Sequence, residues 1–139
     1  MASDGATPYI EVNGRRIGPG EPTYIIAEMS GNHNGSYDRA ARILEACVDA
    51  GVDAVKIQTY TADTLTINSD AEMFHVGGDN TWAGTTLHAL YEEAHTPWEW
   101  QPKLKKLADD MGVDLFSSPF DFSATDFLDD MDVPAFKVA

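Results

Sequence analysis

Apolar residues along this chain fall into two alternating patterns. Short unbroken apolar runs occur at Thr23–Ala27, Ala54–Ile57 and Val113–Phe116, and such runs are typical of strands covered on both faces of a parallel sheet. Between the first two runs, apolar residues recur every three or four positions from Ser36, a helix-capping residue, to Gly51, which predicts an amphipathic helix. The alternation of strand and helix predicts parallel βαβ units.

Two further helices and one further strand extend this alternation. Pro97 suits the first turn of a helix, and the apolar stripe that follows it ends at Gly112. A third helix is predicted over Ser123–Met131, and Ala135–Ala139 has the composition of a fourth strand. We therefore predict an α/β fold in which residues 23–139 form the N-terminal portion of a (β/α)8 TIM barrel, with about three to four βα units.

The sequence pattern of residues 1–22 predicts a separate β-hairpin segment in front of the barrel portion. Alternating runs at Tyr9–Val12 and Arg15–Ile17 flank the pair Asn13-Gly14, which favours the two-residue turn of a hairpin. The Gly18-Pro19-Gly20 stretch then breaks the pattern.

The connection from Thr59 to Pro97 is much longer than the other connections. It contains a helical stretch over Thr86–Ala94, and connections of this length are usually binding loops or lids. The chain then stops inside the predicted fourth strand at Ala139. We therefore expect a fragment whose later barrel strands lie outside this sequence.

The charge of the chain limits its partners. Its 139 residues include 23 Asp and Glu but only 9 Lys and Arg, for a formal net charge of −14, which repels nucleic acids and anionic membranes. A halophile's surface carries the same kind of excess, and charge alone leaves that alternative open. Cys47 is the only cysteine, and no stretch has the pattern of a secretion leader or a membrane span. We expect a cytoplasmic protein.

Every predicted strand ends in polar residues, and in barrels the reacting groups come from these ends. The set comprises Glu28 with the segment Ser30–Gly35 after strand one, Lys56 and Gln58 on strand two, Ser117 and Ser118 on strand three, and Lys137 on strand four. Two ammonium groups, two hydroxyls and an amide would cradle a phosphate and a carboxylate, because lysine presents a compact positive charge to anions. The carboxylate of Glu28 would suit sugar hydroxyls or proton transfer.

Simpler interpretations of these residues stay open at this point. Glu28 would also fit a solvated surface, and a lysine within an apolar strand can extend its ammonium group to the rim. His33 lies in an Asn-rich turn, where its side chain would either stabilise the turn or take part in a functional site. The tryptophans fit packing, with sugar stacking as the alternative for Trp82. Three histidines match no metal-ligand spacing: His75, His88 and His95.

Four segments resemble the N-acetylneuraminate (sialic acid) synthase family, in order along nearly the whole chain. They are IIAEMSGNHNGS (Ile25–Ser36), DAVKIQTY (Asp53–Tyr60), FSSPFD (Phe116–Asp121) and PAFKVA (Pro134–Ala139). Within the family, TADTLT (Thr61–Thr66) and the segment Thr81–Trp100 are most similar to pseudaminic acid synthases, with legionaminic and neuraminic acid synthases as close relatives.

The resemblance implies a metal-dependent condensation of phosphoenolpyruvate with an open-chain 2-acetamido hexose and water, giving a nonulosonic acid and phosphate. By position in the matching motifs, Lys56, Ser118 and Lys137 would bind phosphoenolpyruvate, and Glu28 would contact the sugar or handle a water proton. Glu28, Lys56 and Lys137 would then be catalytic, and Gln58 and Asn34 would complete the substrate-binding set.

The resemblance also implies groups that this sequence does not contain. A divalent metal, Mn or Mg, would be held by two histidines further along the family's chain, so no metal ligand is assigned among these 139 residues. A C-terminal antifreeze-like domain would also lie outside the sequence, and the full-length protein would form a homodimer.

Two alternatives to a synthase stay open. A different phosphoenolpyruvate or sugar-phosphate aldolase would use a Schiff-base lysine in an apolar pocket. A half barrel without activity would instead bind a second chain that covers its open sheet edges. The sequence does not distinguish which acetamido sugar or which metal a synthase would use.

Overall fold

The structure is a computed structural model that describes residues 8–139 of the chain. Five strands and five α-helices follow one another in this order: β1 (Ile10–Val12), β2 (Arg15–Ile17), β3 (Ile26–Glu28), α1 (Tyr37–Asp49), β4 (Ala54–Thr59), α2 (Ala62–Leu65), α3 (Leu87–Ala94), α4 (Gln101–Met111), β5 (Asp114–Pro119) and α5 (Phe122–Asp130). Short 3₁₀ turns lie at Glu72–Phe74 and Trp98–Trp100. Within residues 8–139, no helix is long and apolar enough to cross a membrane.

Strands β3, β4 and β5 form one parallel sheet in that order. Ala54 pairs with Ile26 on one side and with Asp114 on the other, so the three strands run in register from their N-terminal ends. Helix α1 connects β3 to β4, and α4 leads into β5. The prediction of an α/β protein with a parallel sheet is confirmed.

Capping residues set the helix bounds close to the predicted ones. Ser36 caps α1 by accepting a hydrogen bond of 3.3 Å from the backbone N–H of Arg39. Gly112 ends α4 with a φ of 75°, a left-handed conformation that glycine adopts without steric cost. The second predicted helix was wrong at its start: a 3₁₀ turn follows Pro97, and the α-helix begins only at Gln101.

One face of the sheet packs against α1 and α4. The side chains that meet there are completely buried, and they include Leu44 of α1, Leu104 of α4, Val55 and Ile57 of β4, and Leu115 of β5. The partly buried Cys47 packs against the same cluster. Because side chains alternate along a strand, the residues between these apolar ones point to the opposite face of the sheet.

Two predicted strands differ from the observed ones. The first strand begins at Ile26 rather than Thr23, and it is not covered on both faces: Ile25 and Ile26 are 52% and 45% exposed. It is an edge strand that pairs with β4 alone. The start of a fourth strand, predicted over Ala135–Ala139, consists of a single parallel bridge between Ser117 and Phe136.

The N-terminal hairpin lies across the N-terminal ends of the sheet strands. β1 and β2 pair antiparallel, and Asn13 and Gly14 both have positive φ, as a tight two-residue turn requires. Arg15 forms an ion pair with Asp53 in front of β4, and Asn13 donates a hydrogen bond of 2.9 Å to Asp114 at the start of β5. The C-terminal strand ends therefore stay open. Residues 1–7 of the predicted hairpin segment lie outside the described residues, and the division at residue 22 stays a prediction.

We expect Leu104→Ala to lower the free energy of unfolding of the chain by about 2–5 kcal/mol, because it opens a cavity in a completely buried cluster. Urea unfolding followed by circular dichroism measures the change. Ile67→Ala, at a side chain that is 62% exposed, is the matched control and should change stability by less than about 0.5 kcal/mol. Equal effects of both substitutions would contradict the packing described here.

Candidate active site

Four of the predicted site residues share the sheet face that points away from α1 and α4. The parallel register sets Glu28 of β3 beside Lys56 of β4, and Gln58 of β4 beside Ser118 of β5. Lys56 and Gln58 alternate with Val55 and Ile57, whose side chains enter the helix-covered core. Strand pairing therefore brings together side chains that are up to 90 residues apart in the sequence.

Glu28 and Lys56 form an ion pair on this face. The Lys56 ammonium lies 3.1 Å from a carboxylate oxygen of Glu28, and the two side chains are 10% and 64% exposed, respectively. Lys56 is thus held inside the protein and does not extend to the rim. An ammonium group has three donors, so one contact with Glu28 leaves capacity for an anionic ligand.

Ser117 does not belong to this face, and its predicted place in the anion cradle was wrong. Its hydroxyl lies 2.6 Å from that of Thr59, which donates a hydrogen bond of 2.7 Å to the side-chain oxygen of Gln101. All three residues are completely buried and tie β4, β5 and α4 together. Adjacent strand residues face opposite sides, so only Ser118 of the two serines can reach the site.

Lys137 stands next to Ser118, because Phe136 forms a parallel bridge with Ser117, and Asn34 lies in the turn after β3. The backbone N–H of Lys137 donates a hydrogen bond of 3.0 Å to the carbonyl oxygen of Ser117, and its exposed side chain lines an apolar cavity beneath the hairpin. Asn34 is exposed in the turn after β3, with a φ of 48° and its N–H bonded to the carbonyl oxygen of Gly31. Their substrate-binding roles stay predictions.

A cavity of about 420 Å³ opens beside Gln58 at the C-terminal ends of β3, β4 and β5. Its wall combines aromatic and small polar groups: Ser30, Gly31, Asn32, Gln58, Tyr60, Leu65, Trp82, Leu90, Tyr91, Ala94 and Phe120. Ser30 has a positive φ of 50° and directs its hydroxyl to the side-chain oxygen of Gln58, 3.4 Å away. A non-glycine residue in this conformation often marks a functional site.

Three residues of the cavity wall were not among the predicted site residues: Tyr60, Tyr91 and Phe120. Tyr60 and Phe120 each stand one position after a strand, which is the signal that could have identified them. Tyr91 and Trp82 come from the long connection between β4 and α4, whose path no pattern in the sequence predicts. Of the tryptophans, Trp98 and Trp100 pack against other aromatic rings, as predicted.

His33 is a structural residue, which resolves the alternative left open by its sequence. Its ring is completely buried; Nδ1 accepts a hydrogen bond of 3.2 Å from the N–H of Gly35, so Nε2 carries the proton and donates to the hydroxyl of Thr96, also at 3.2 Å. Burial, with a smaller electrostatic contribution from His95, lowers the pKa of His33. A neutral His33 thus links the loop after β3 to the segment before α4.

Another buried histidine links two helices of the long connection. Nε2 of His88 on α3 lies 2.9 Å from the carboxylate of Asp63 on α2, and its Nδ1 lies 3.7 Å from that of Glu92. This contact joins the two helices that carry part of the cavity wall. Within residues 8–139, no group of three or more His, Cys, Asp or Glu side chains is arranged to hold a metal ion.

The fold and the strand-end site define an α/β protein with a polar site on one face of a parallel sheet, and comparison with known proteins gives its family. The chain belongs to the NeuB family, whose model matches residues 43–139. It is 46% identical over 116 residues to pseudaminic acid synthase from Campylobacter jejuni, covering 84% of this chain and 34% of that protein. With the Helicobacter pylori pseudaminic acid synthase, identity is 39% over 119 residues, covering 86% and 35%.

A solved structure supports the same assignment. The N-acetylneuraminic acid synthetase of Leptospira borgpetersenii, crystallised with citrate, superposes with a TM-score of 0.74 at 26% identity, covering 95% of this chain and 41% of that one. The chain spans about a third of the length of the curated relatives it matches.

We expect the stability of the chain to fall with acid in part through His33. Its pKa is lower in the folded chain than in the unfolded chain, so the folded state binds fewer protons. The stability that neutral His33 contributes is complete above the unfolded pKa of about 6.5 and is lost as pH falls below it. We therefore expect the free energy of unfolding, measured with urea, to fall more between about pH 7.5 and about pH 5.5 for the wild-type chain than for His33→Asn.

The control for this measurement is His75→Asn, at an exposed histidine. Between the same two pH values, the free energy of unfolding of that variant should fall by as much as that of the wild type. If His33→Asn also shows the wild-type loss, the neutral buried state described for His33 is wrong.

Proposed function

We propose that the protein carrying this chain condenses phosphoenolpyruvate with an open-chain 2-acetamido hexose and water to form a nonulosonic acid and phosphate. One observation carries the proposal: a nearly buried lysine, Lys56, lies on the open sheet face between a carboxylate and the side chains of Gln58 and Ser118. The names of its relatives support pseudaminic acid as the product, with N-acetylneuraminic and legionaminic acids as the alternatives.

The same proposal includes the barrel. Strands β3, β4 and β5 pair in chain order, as successive strands of a barrel do, and α1 and α4 cover the sheet face opposite Lys56 and Gln58. The chain would supply the first strands of a (β/α)8 barrel, with the remaining strands supplied by the rest of the full-length protein.

The residues on the inner face suit this chemistry. Lys56 would bind a phosphate or carboxylate oxygen of phosphoenolpyruvate, with the Ser118 hydroxyl and the Lys137 ammonium as further donors. The citrate in the Leptospira relative, also an anion, is consistent with such a site. Glu28 would hold a sugar hydroxyl or accept the proton of the attacking water, because its carboxylate is both exposed and oriented by Lys56.

The acceptor sugar would lie toward Gln58, whose side chain belongs both to the inner face and to the cavity wall. Asn34 would contribute from the loop after β3. Holding both substrates along one row of strand ends would bring the reacting carbons together, which is a large part of the catalysis of a two-substrate reaction.

The divalent metal of this reaction, Mn or Mg, would polarise the sugar aldehyde as a Lewis acid. Within residues 8–139 no group of three or more His, Cys, Asp or Glu side chains is arranged to hold a metal ion, and we propose that two histidines elsewhere in the full-length protein hold it. The steps above therefore involve only side chains of residues 8–139. A homodimeric assembly and a cytoplasmic location complete the proposal.

The proposal predicts that Lys56→Ala lowers kcat/KM for phosphoenolpyruvate by roughly 10- to 150-fold, because it removes a charge-assisted hydrogen bond to an anion. The measurement is phosphate release by the full-length protein with Mn and a panel of 2-acetamido hexoses. Lys106→Ala is the matched control, since this lysine is 74% exposed on α4 and pairs with Asp110.

Sugar-dependent phosphate release that is weakened by Lys56→Ala and unchanged by Lys106→Ala would support the proposal. If the full-length protein releases phosphate with no sugar of the panel, the synthase function is wrong. If Lys56→Ala behaves like the control, Lys56 is not part of the site.

A further inference from the structure

The cavity beside Gln58 differs in character from the Glu28–Lys56 pair. Among residues 8–139, none of the side chains that line it carries a formal charge. Its polar side chains include the hydroxyl of Ser30 and the amides of Asn32 and Gln58, and the rings of Tyr60, Trp82, Tyr91 and Phe120, three of which carry an N–H or a hydroxyl, form much of the remaining wall. Such a cavity suits a neutral ligand that has both hydroxyl groups and an apolar face, as an uncharged sugar has.

Tyr60 holds a fixed position in this wall. Its side chain is 4% exposed, and its ring packs edge-on against Tyr91 at 5.7 Å and against Phe120 at 5.5 Å. Its backbone carbonyl accepts a hydrogen bond of 3.1 Å from the indole N–H of Trp98. The ring is therefore positioned by contacts that do not involve its hydroxyl group.

The hydroxyl of Tyr60 has no hydrogen-bond partner within residues 8–139. It is not closed off from solvent either, because the only buried side-chain polar atom without a partner in the described chain is an oxygen of Asp121. Tyr60 lines the cavity, so its hydroxyl is a candidate donor to a ligand bound there. A rigid ring with an unused hydroxyl at a cavity wall is suited to ligand recognition.

The protonation state of Tyr60 fits a donor. Burial, with a smaller contribution from Tyr91, raises its pKa to about 12. The phenol therefore keeps its proton throughout the physiological range and can donate to an oxygen of a bound sugar.

We propose that Tyr60 is a specificity-determining residue that donates a hydrogen bond to an uncharged acceptor sugar, while Tyr91 and Trp82 contact the apolar substituents of that sugar. The inference rests on the proposed function and adds to it the residues that select the acceptor. It predicts that a phosphorylated acceptor is used less well, because none of the wall residues described in this chain is a cation that would pair with a phosphate.

The helices of the long connection give the wall its shape. Leu65 lies on α2, and Leu90 and Tyr91 lie on α3. The contact between His88 and Asp63 joins these two helices. The position of Tyr91 against Tyr60 thus depends on a polar contact outside the cavity, and the sugar would meet a preformed wall.

The test uses Tyr60→Phe in the full-length protein, with the acceptor that supports phosphate release by the wild type. This substitution keeps the ring and removes only the hydroxyl. We expect KM for the acceptor to rise roughly 3- to 10-fold, as for the loss of one neutral hydrogen bond, with KM for phosphoenolpyruvate and the melting temperature unchanged. Tyr37→Phe is the matched control, because Tyr37 of α1 lies outside the cavity wall, where its ring packs against Trp100.

A series of acceptors that differ only at C6 tests the uncharged wall. The probes are the 6-hydroxy, 6-deoxy and 6-phosphate forms of the same 2-acetamido hexose. The wild type should use the first two and discriminate against the phosphate, and Tyr91→Ala should weaken the 6-deoxy form more than the 6-hydroxy form, because it removes an apolar contact.

The outcomes separate the two proposals. If no acceptor supports phosphate release, the synthase function fails and this inference fails with it. If release occurs but Tyr60→Phe leaves the acceptor KM at the wild-type value, or the 6-phosphate is the preferred acceptor, only the inference about the cavity is overturned.

Discussion

The candidate site depends on the register of three parallel strands. Pairing of β4 with β3 and with β5 sets Glu28 beside Lys56 and Gln58 beside Ser118. A shift of one residue would turn each of these side chains toward α1 and α4 and bring Val55 and Ile57 to the open face. The completely buried core on the helix side therefore helps to fix the polar arrangement on the other side, because a one-residue shift would expose that core and bury a charged pair.

The same constraint explains which parts of the site the sequence could predict. Lys56 and Gln58 stand at alternate positions of an apolar strand, and Glu28 follows another such strand, so strand-end reasoning places them together. Strand-end reasoning was wrong for Ser117, because it placed two adjacent serines on the same face of the sheet. Their backbone alternation sends Ser117 into a buried hydrogen-bond network with Thr59 and Gln101 instead.

The long connection between β4 and α4 marks the limit of such reasoning. Its helices α2 and α3 are held by contacts between residues far apart in sequence, such as the 2.9 Å contact of His88 with Asp63, and no periodic pattern encodes these. Sugar stacking by Trp82 was an alternative in the sequence, but the wall that Trp82 forms together with Tyr91 could not be predicted from it. The predicted start of a fourth strand is present as a single parallel bridge between Ser117 and Phe136.

The acidic character of the chain gives a physical reason for the separation between the Glu28–Lys56 pair and the cavity beside Gln58. A net charge of −14 opposes the approach of any anion, so binding one requires a local cation that is shielded from the surrounding carboxylates. Lys56 meets this requirement because it is nearly buried and has a single carboxylate at 3.1 Å. The adjoining cavity has no charged wall residue among those described, so the two regions would select ligands by opposite criteria. Gln58, which belongs to both, would then sit where an anionic and an uncharged substrate meet.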